Sequence, residues 1–243
     1  MIIDTHSHLG ECNVFGANQS VEALLLAMSE SSIDCAVVQP FPGAPEVAQV
    51  HDAIFRLSQE TNGKVRGLAS INPHIDIKSY RSELKRCVEE LGFVGVKLHS
   101  IGHSVSPGSK AARLIFTSAS ELKIPVMIHT GAGIPFADPI AWVALAKEFS
   151  DVSVVLAHAG ASLFTEGAIV AAEVCSNVYL ETSWCNPQDI RKAHARLGEE
   201  RLMFGSDMVF NVKAELVKYE SVGLNPDSHP AIFQLNAQRI FNL

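Results

Sequence analysis

Short apolar runs recur along the chain, and nearly every one stops at a histidine, an aspartate, an asparagine or a proline. The first is brief: Met1-Ile2-Ile3 leads straight into Asp4-Thr5-His6-Ser7-His8. Later runs cover 34–40, 65–71, 93–99, 124–129, 152–158, 178–182 and 201–207. Each is rich in Val, Ile and Leu and too short for a buried helix, so each is predicted to be a buried strand. Between them the apolar positions fall at helical spacing. Ser20 is placed as an N-cap for a helix starting at Val21, and Asn62-Gly63 ends a helix over 45–61. Further helices are predicted over 76–91, 111–122, 139–149, 163–175 and 187–197, with two more in the tail near 212–222 and 229–241. The stretch from Gly10 to Gln19 and that from Ser100 to Ser109 are polar and contain glycine, and they are predicted to be loops.

Nearly continuous apolar strands that alternate with amphipathic helices indicate a parallel sheet covered by helices. Eight such units in 243 residues fit an α/β fold of the closed (β/α)8 TIM barrel type. An open doubly wound sheet is the competing architecture. It would be expected to carry a GxGxxG turn or a phosphate loop, and the chain has neither. With no linker or low-complexity stretch, residues 1–243 are read as one domain.

Composition narrows the partners. The chain is 47% hydrophobic and 19% charged, which suits a globular protein with a large core. A net charge of -7 and the absence of any Lys/Arg cluster speak against nucleic acid. No apolar run is long enough to cross a membrane, and the start of the chain has no basic leader, with Asp4 interrupting the apolar opening. Cys12, Cys35, Cys87, Cys175 and Cys185 are scattered without a CxxC pair, which suggests reduced thiols in a cytoplasm. The expected partners are a small-molecule substrate and, at most, a second copy in a homodimer.

In a barrel, function collects where strands end and the following loops begin. Those positions hold His6 and His8, Lys97 and His99, His129, His158, Thr182 and Asp207. The i, i+2 spacing of His6 and His8 puts both imidazoles on one side of a strand. The histidines at 51, 74, 103, 194 and 229 fall on helices or loops. A lone histidine at a strand end is more often a hydrogen-bonded core residue than a ligand. Four histidines and an aspartate on one rim are harder to explain by packing, because burying so many polar groups without a partner is costly. Imidazoles and a carboxylate converging on one open face suit a mononuclear divalent site, Zn2+ first, with Mn2+ or another ion as alternatives.

The motifs Asp4-Thr5-His6-Ser7-His8, Gly95-Val96-Lys97-Leu98-His99, Val126-Met127-Ile128-His129-Thr130-Gly131, Leu156-Ala157-His158-Ala159-Gly160 and Phe204-Gly205-Ser206-Asp207 together resemble the amidohydrolase superfamily. The resemblance is greatest to the amidohydrolase-related branch that includes aminocarboxymuconate-semialdehyde decarboxylase-like enzymes. The ending Asn236-Ala237-Gln238-Arg239-Ile240-Phe241 is similar to that branch's Asn-Ala-x-Arg-(Leu/Ile)-Phe. The resemblance implies that His6, His8, His129 and Asp207 are metal ligands and that His158 works beside the metal. It also offers two roles for Lys97: a substrate-anion or structural lysine in mononuclear enzymes, or a carboxylated bridge between two metals in binuclear branches. Asp4 is read as a buried carboxylate that orients its strand.

Two activities suit such a site. One is hydrolysis of an amide, lactone or related carboxylic ester, with Asp207 accepting a proton from water and His158 stabilising an oxyanion or passing the proton onward. The other is non-oxidative decarboxylation of an unsaturated or aromatic carboxylate. The second calls for cations near the pocket. Lys97 is one candidate, while Arg113 and Arg191 lie on outer helices, which favours hydrolysis. A purely structural metal-binding protein would be expected to lack a ligand, and none is missing. Of the large aromatics Phe15, Phe41, Phe136, Trp142, Trp184 and Phe210, only Trp184 and Phe15 are expected at the mouth, beside His99 and Lys97 as substrate contacts. Protein prepared without chelator should carry about one tightly held divalent ion per chain. Elemental analysis that finds neither metal nor rebinding would reject this expectation.

Overall fold

The computed structural model of the chain describes residues 1–131 and 135–243. The Ala132-Gly133 part of the loop expected after the fifth predicted strand lies outside the described residues. The elements run β1 (Ile3–Cys12), β2 (Ala17–Gln19), α1 (Val21–Glu30), β3 (Cys35–Pro40), α2 (Val47–Glu60), β4 (Val65–Gly67), α3 (Ile77–Glu89), β5 (Val96–Leu98), α4 (Lys110–Leu122), β6 (Val126–His129), α5 (Val143–Glu148), β7 (Val154–Ala157), α6 (Thr165–Val174), β8 (Val178–Glu181), α7 (Pro187–Leu197), β9 (Leu202–Met203), α8 (Val212–Ser221) and α9 (Asn236–Phe241).

Two sheets, ordered β2-β1-β3-β4 and β5-β6-β7-β8-β9, join into one barrel. On one side a parallel bridge pairs Ala69 with Val96. On the other, the Thr5 N–H donates to Phe204 O at 3.1 Å and the Asp207 N–H to His6 O at 2.7 Å, closing the last strand onto the first. All barrel strands pair in parallel, and β2 alone is antiparallel. The expected (β/α)8 architecture is therefore what the chain forms.

The strands divide their side chains between two apolar layers. Ile3, Val37, Leu68, Met127, Val155, Tyr179 and Met203 fill the barrel, and Ala237, Ile240 and Phe241 of α9 pack into the same cluster. The opposite faces, such as Val38, Val96, Ile128, Leu156 and Leu180, pack against the helices. In β1 strict alternation fails. Ile3 packs inside while Leu9, an even number of residues on, packs outside, and the register with β3 shifts between Asp4 and Ser7. That irregularity is a β-bulge, a device that re-aims side chains near a functional rim.

Three local departures from the sequence reading have physical causes. The polar stretch after Gly10 is not all loop: the chain turns at Gly16, which has a φ of 63°, and β2 runs back along Gly10–Cys12. The helix predicted over 139–149 opens as a 3-10 turn over Pro139–Trp142, capped by Asp138, and becomes α-helical only at Val143. The tail helix begins with a π turn over Ala231–Leu235 before α9. No helix among the described residues is long and apolar enough to cross a membrane, and all five cysteines are buried and free.

Glycine permits one close approach that fixes strand spacing. A Cβ at Gly67 would lie 2.4 Å from the ring of Phe93, a side chain only 4% exposed. Because the added methyl would displace this buried ring, Gly67→Ala is expected to cost about 1–3 kcal/mol, the usual range for overpacking a core. Chemical denaturation that shows unchanged stability would contradict the packing described.

Candidate metal centre

The closing seam brings the first and last strands into register, and with them three donor groups. Asp207 Oδ1 lies 3.2 Å from His6 Nε2 and 3.1 Å from His8 Nε2. All three ligand atoms fall within 4.8 Å of one another. Donors about 2.0 Å from a tetrahedral ion are spaced by roughly 3.3 Å, so this cluster has the dimensions of one face of such a site. The backbone also departs from ordinary values here. Asp207, His158 and Trp184 have φ values of 67°, 66° and 66°, in the left-handed region that non-glycine residues rarely occupy. Such strain persists only where surrounding structure over-determines it, and it gathers at functional sites.

Each donor is held differently. His6 Nδ1 lies 2.7 Å from Glu181 Oε2, and its Nε2 lies 2.9 Å from Lys97 Nζ. His8 is stacked on Phe41, with ring centroids 4.3 Å apart and planes within 7°, while its buried Nδ1 has no hydrogen-bond partner. The Trp184 Nε1–H donates to Asp207 Oδ2 at 2.8 Å, leaving Oδ1 turned to the histidines. Asp4 sits below the cluster and accepts from the Ser206 N–H, the Ser206 hydroxyl and the His6 N–H. It ties the two seam strands together, as read from the sequence.

The remaining strand-tip residues surround a cavity of about 220 Å³ lined by His8, Phe15, Phe41, His99, His129, His158, Asp207 and Met208, among others. His129 Nδ1 is 3.1 Å from His158 Nε2. Its ring stacks on His99 at 4.0 Å between centroids. His99 Nδ1 accepts from the Gly102 N–H at 2.9 Å, and its ring meets Phe15 at 5.4 Å. Phe15 is 54% exposed. Two of the other expected contacts are placed differently. Lys97 is buried beneath His6 and is not part of the cavity lining, and Trp184 reaches the site through Asp207. Phe41, set aside as core, does border the cavity.

Burial sets the charge state of the cluster. It drives the imidazole of His6 well below its ordinary pKa, with the Lys97 charge adding to the effect. His129 is also driven well below, by burial and then by His158, while burial lowers His158 to about 3. Burial alone would raise the Asp207 carboxyl, yet His6, His158 and His8 around it hold it well below the usual carboxylate range. Burial brings Lys97 down to about 8 against the pull of Asp207 and Glu181, and Asp4 up to about 7 against its hydrogen bonds from Ser206 and His6. Neutral imidazoles around an ionised carboxylate are the protonation states that a divalent cation requires of its ligands.

Sequence reading missed two residues. Glu181 is fully buried and contacts both His6 and the His158 backbone, and Ser183 lies 2.8 Å from His158 Nδ1. The signal was available. Glu181 has the inward parity of Tyr179, whereas Thr182, the tip residue singled out, faces away and bonds Tyr219. Two further groups of possible metal donors are His6, His158 and Glu181, and, between α2 and α3, His51, Glu83 and Cys87. Arg86 already makes paired hydrogen bonds to Glu83 there, so the latter group is an ion-paired helix contact.

A family model described as amidohydrolase matches residues 3–243, and the chain belongs to that family. A curated relative, 2-keto-4-carboxy-3-hexenedioate hydratase from Sphingobium sp., is 24% identical over 214 residues. The match covers 70% of this chain and 63% of the relative, so the chain spans less than two thirds of that relative's length. Among solved structures, 4-oxalomesaconate hydratase from Rhodopseudomonas palustris matches with a TM-score of 0.74 at 22% identity, covering 100% of this chain and 96% of that one. A 5-carboxyvanillate decarboxylase from Novosphingobium aromaticivorans, solved with bound manganese, matches with a TM-score of 0.76 at 15% identity, covering 100% and 97%. At these identities the structural matches show a shared fold.

The site predicts an order of stabilities. His8 contributes a stack, one hydrogen bond to Asp207 and one unpartnered nitrogen, so His8→Ala should cost under about 3 kcal/mol and leave the circular dichroism of the folded chain intact. Glu181 accepts from four buried donors, and Glu181→Ala would strand them all, at about 3–5 kcal/mol. Denaturation curves that reverse this order would contradict the site as described.

Proposed function

We propose that this amidohydrolase-family chain is a metal-dependent hydrolase that cleaves an amide, lactone or related carboxylic ester, with one divalent ion held by His6, His8, His129 and Asp207. The observation that carries the reading is the Asp207 carboxylate set between two imidazole nitrogens at the mouth of a closed barrel. Zn2+ is the ion proposed first, from the imidazole and carboxylate donor set. Manganese, bound by one structural relative, is the alternative. When bound, such an ion lowers the pKa of water at the site toward 7 and polarises a substrate carbonyl.

The chain's own groups do the rest. Asp207 accepts the proton of the attacking water through Oδ1, because Oδ2 is held by the Trp184 indole. Asp207 returns that proton to the leaving group, while His158, on the cavity wall, works beside the ion by holding His129. Phe15 and His99 form the outer wall against which the substrate lies. Lys97 supports His6 from below.

A non-oxidative decarboxylase on the same site is the second reading, favoured by the decarboxylase among the structural relatives. Electrostatics of the wall favour hydrolysis. Among the described residues, the cavity lining contains no Lys or Arg to meet a substrate carboxylate. Arg113 is engaged by Glu148 on the outer surface. A screen of lactones, amides and unsaturated carboxylates tests the choice: acid release without CO2 supports hydrolysis, and CO2 release overturns it. On the substrate found, Asp207→Asn should lose about 10²- to 10⁴-fold in kcat while keeping much of its metal, as loss of a general base does. Turnover close to that of the parent would remove Asp207 from the role of proton acceptor.

A further inference from the structure

Glu181 has no part in the chemistry just described, yet it is the most heavily hydrogen-bonded carboxylate at the barrel mouth. The Ser183 N–H donates to its Oε1, and the His158 N–H donates to its Oε2 at 3.2 Å. Main-chain N–H groups cannot reverse direction, so both oxygens are acceptors. We propose that Glu181 is a positioning residue which, through two hydrogen-bond chains, fixes the ring nitrogen that His6 and His129 each leave without a proton, the one a metal would take. The inference rests on the assignment of His6 and His129 as ligands.

The first chain is direct. His6 Nδ1 lies 2.7 Å from Glu181 Oε2, and His6 Nε2 lies 2.9 Å from Lys97 Nζ. An ammonium has protons to give and no acceptor. Nε2 of His6 is therefore bare, the ring proton sits on Nδ1, and that proton points at Glu181. The single lone pair on Nε2, which lies 3.2 Å from Asp207 Oδ1, accepts from Lys97, so an ion entering the donor cluster would replace that hydrogen bond.

The second chain has three steps. The Ser183 hydroxyl lies 3.0 Å from Glu181 Oε2, and its single proton is given to that carboxylate. Its oxygen can then only accept from His158 Nδ1, 2.8 Å away. With its proton on Nδ1, His158 presents a bare Nε2 to His129 Nδ1 at 3.1 Å. The proton between the two rings belongs to His129, whose Nε2 is thereby left bare. One carboxylate thus assigns the same tautomer to three histidines on β1, β6 and the loop after β7. Strand alternation makes this possible, since Glu181 and Ser183 face inward while Thr182 between them bonds Tyr219 on the other side. Gly205 supplies the space, because a Cβ there would lie 2.7 Å from the Glu181 carboxyl carbon. Partners beyond the ligands commonly orient metal-binding imidazoles in this way.

Histidine-selective 15N NMR on the full chain, stripped of metal, reads the ring protonation directly. The parent should show His6, His129 and His158 with the proton on Nδ1. Ser183→Ala should shift His129 and His158 toward mixed tautomers, leave His6 unchanged and weaken Zn2+ binding about tenfold in competition with a chromogenic chelator. Ser183→Thr, which keeps the hydroxyl, should restore both. Glu181→Gln should disturb all three rings and weaken Zn2+ binding by up to about 100-fold. If Glu181→Gln does not fold, the Ser183 pair decides. Unchanged rings in Ser183→Ala, or a His158 proton on Nε2 in the parent, overturns the relay. A parent chain that takes up no Zn2+ overturns the ligand assignment instead, so the two failures are distinguishable.

Discussion

Everything at the functional end of this molecule depends on the closure of the barrel between its last strand and its first. The hydrogen bonds from Thr5 to Phe204 and from Asp207 to His6 join residues almost a full chain length apart. Loop-closure entropy makes such a contact unfavourable unless many others form with it. The two apolar layers, inside and outside the strands, provide them. Once the seam is closed, His6 and His8 have no choice but to face Asp207. The left-handed backbone of Asp207 is held by the same seam, since its N–H is the donor that closes it. An open sheet of the same strands would have separated the His pair from its carboxylate by the full width of the sheet.

Closure also concentrates charge in a place with little water. Asp4, Lys97, Glu181 and Asp207 all sit within a few residues of the strand tips, and the first three are almost fully buried. Buried charges are tolerated only when paired and hydrogen-bonded. Asp4 is satisfied by Ser206 and the His6 backbone, and Lys97 by His6. Burial moves His6, His129 and His158 below their ordinary titration range, which leaves those three imidazoles neutral. Stability and chemistry are therefore separated in space. Apolar packing of strands against helices holds the fold, and the polar layer at the mouth is carried by it.

Much of this was legible in the sequence because strand ends are marked chemically. Apolar runs that stop at His6, His8, His129, His158 and Asp207 announce both the barrel and its functional rim. The bulge in β1 was not legible, because the steps Asp4-x-His6-x-His8 look regular until the partner strand shows the shift in register. The β2 hairpin was hidden in a polar stretch with no apolar alternation to mark it. Glu181 and Ser183 were hidden by Thr182: three polar residues end that strand, and only inward parity distinguishes the two that matter. Trp184 was expected to line the mouth as a substrate contact, from its place after the seventh predicted strand, and it is absent from the cavity lining. Its actual contact, an indole N–H on Asp207, depends on a left-handed backbone that no spacing rule reveals.

The parts of the site that bind and the parts that select have different supports. His6 and Asp207 belong to the seam and cannot move without opening the barrel. Phe15 belongs to the turn between β1 and β2, is more than half exposed, and reaches the cavity only by leaning on His99. His99 in turn is fixed by one main-chain N–H from Gly102, where a Cβ would strike Pro42 at 2.5 Å. The wall facing the substrate is thus made by three connecting segments, after β1, β3 and β5, that contribute little to closure. Changes there alter the shape of a cavity of about 220 Å³ and reach the donors only through the stacks of Phe41 on His8 and of His99 on His129. A fold with this division keeps one activating centre and admits different substrates through its loops. Relatives that share the barrel need not share what they act upon, because the seam that fixes the donors does not fix the wall.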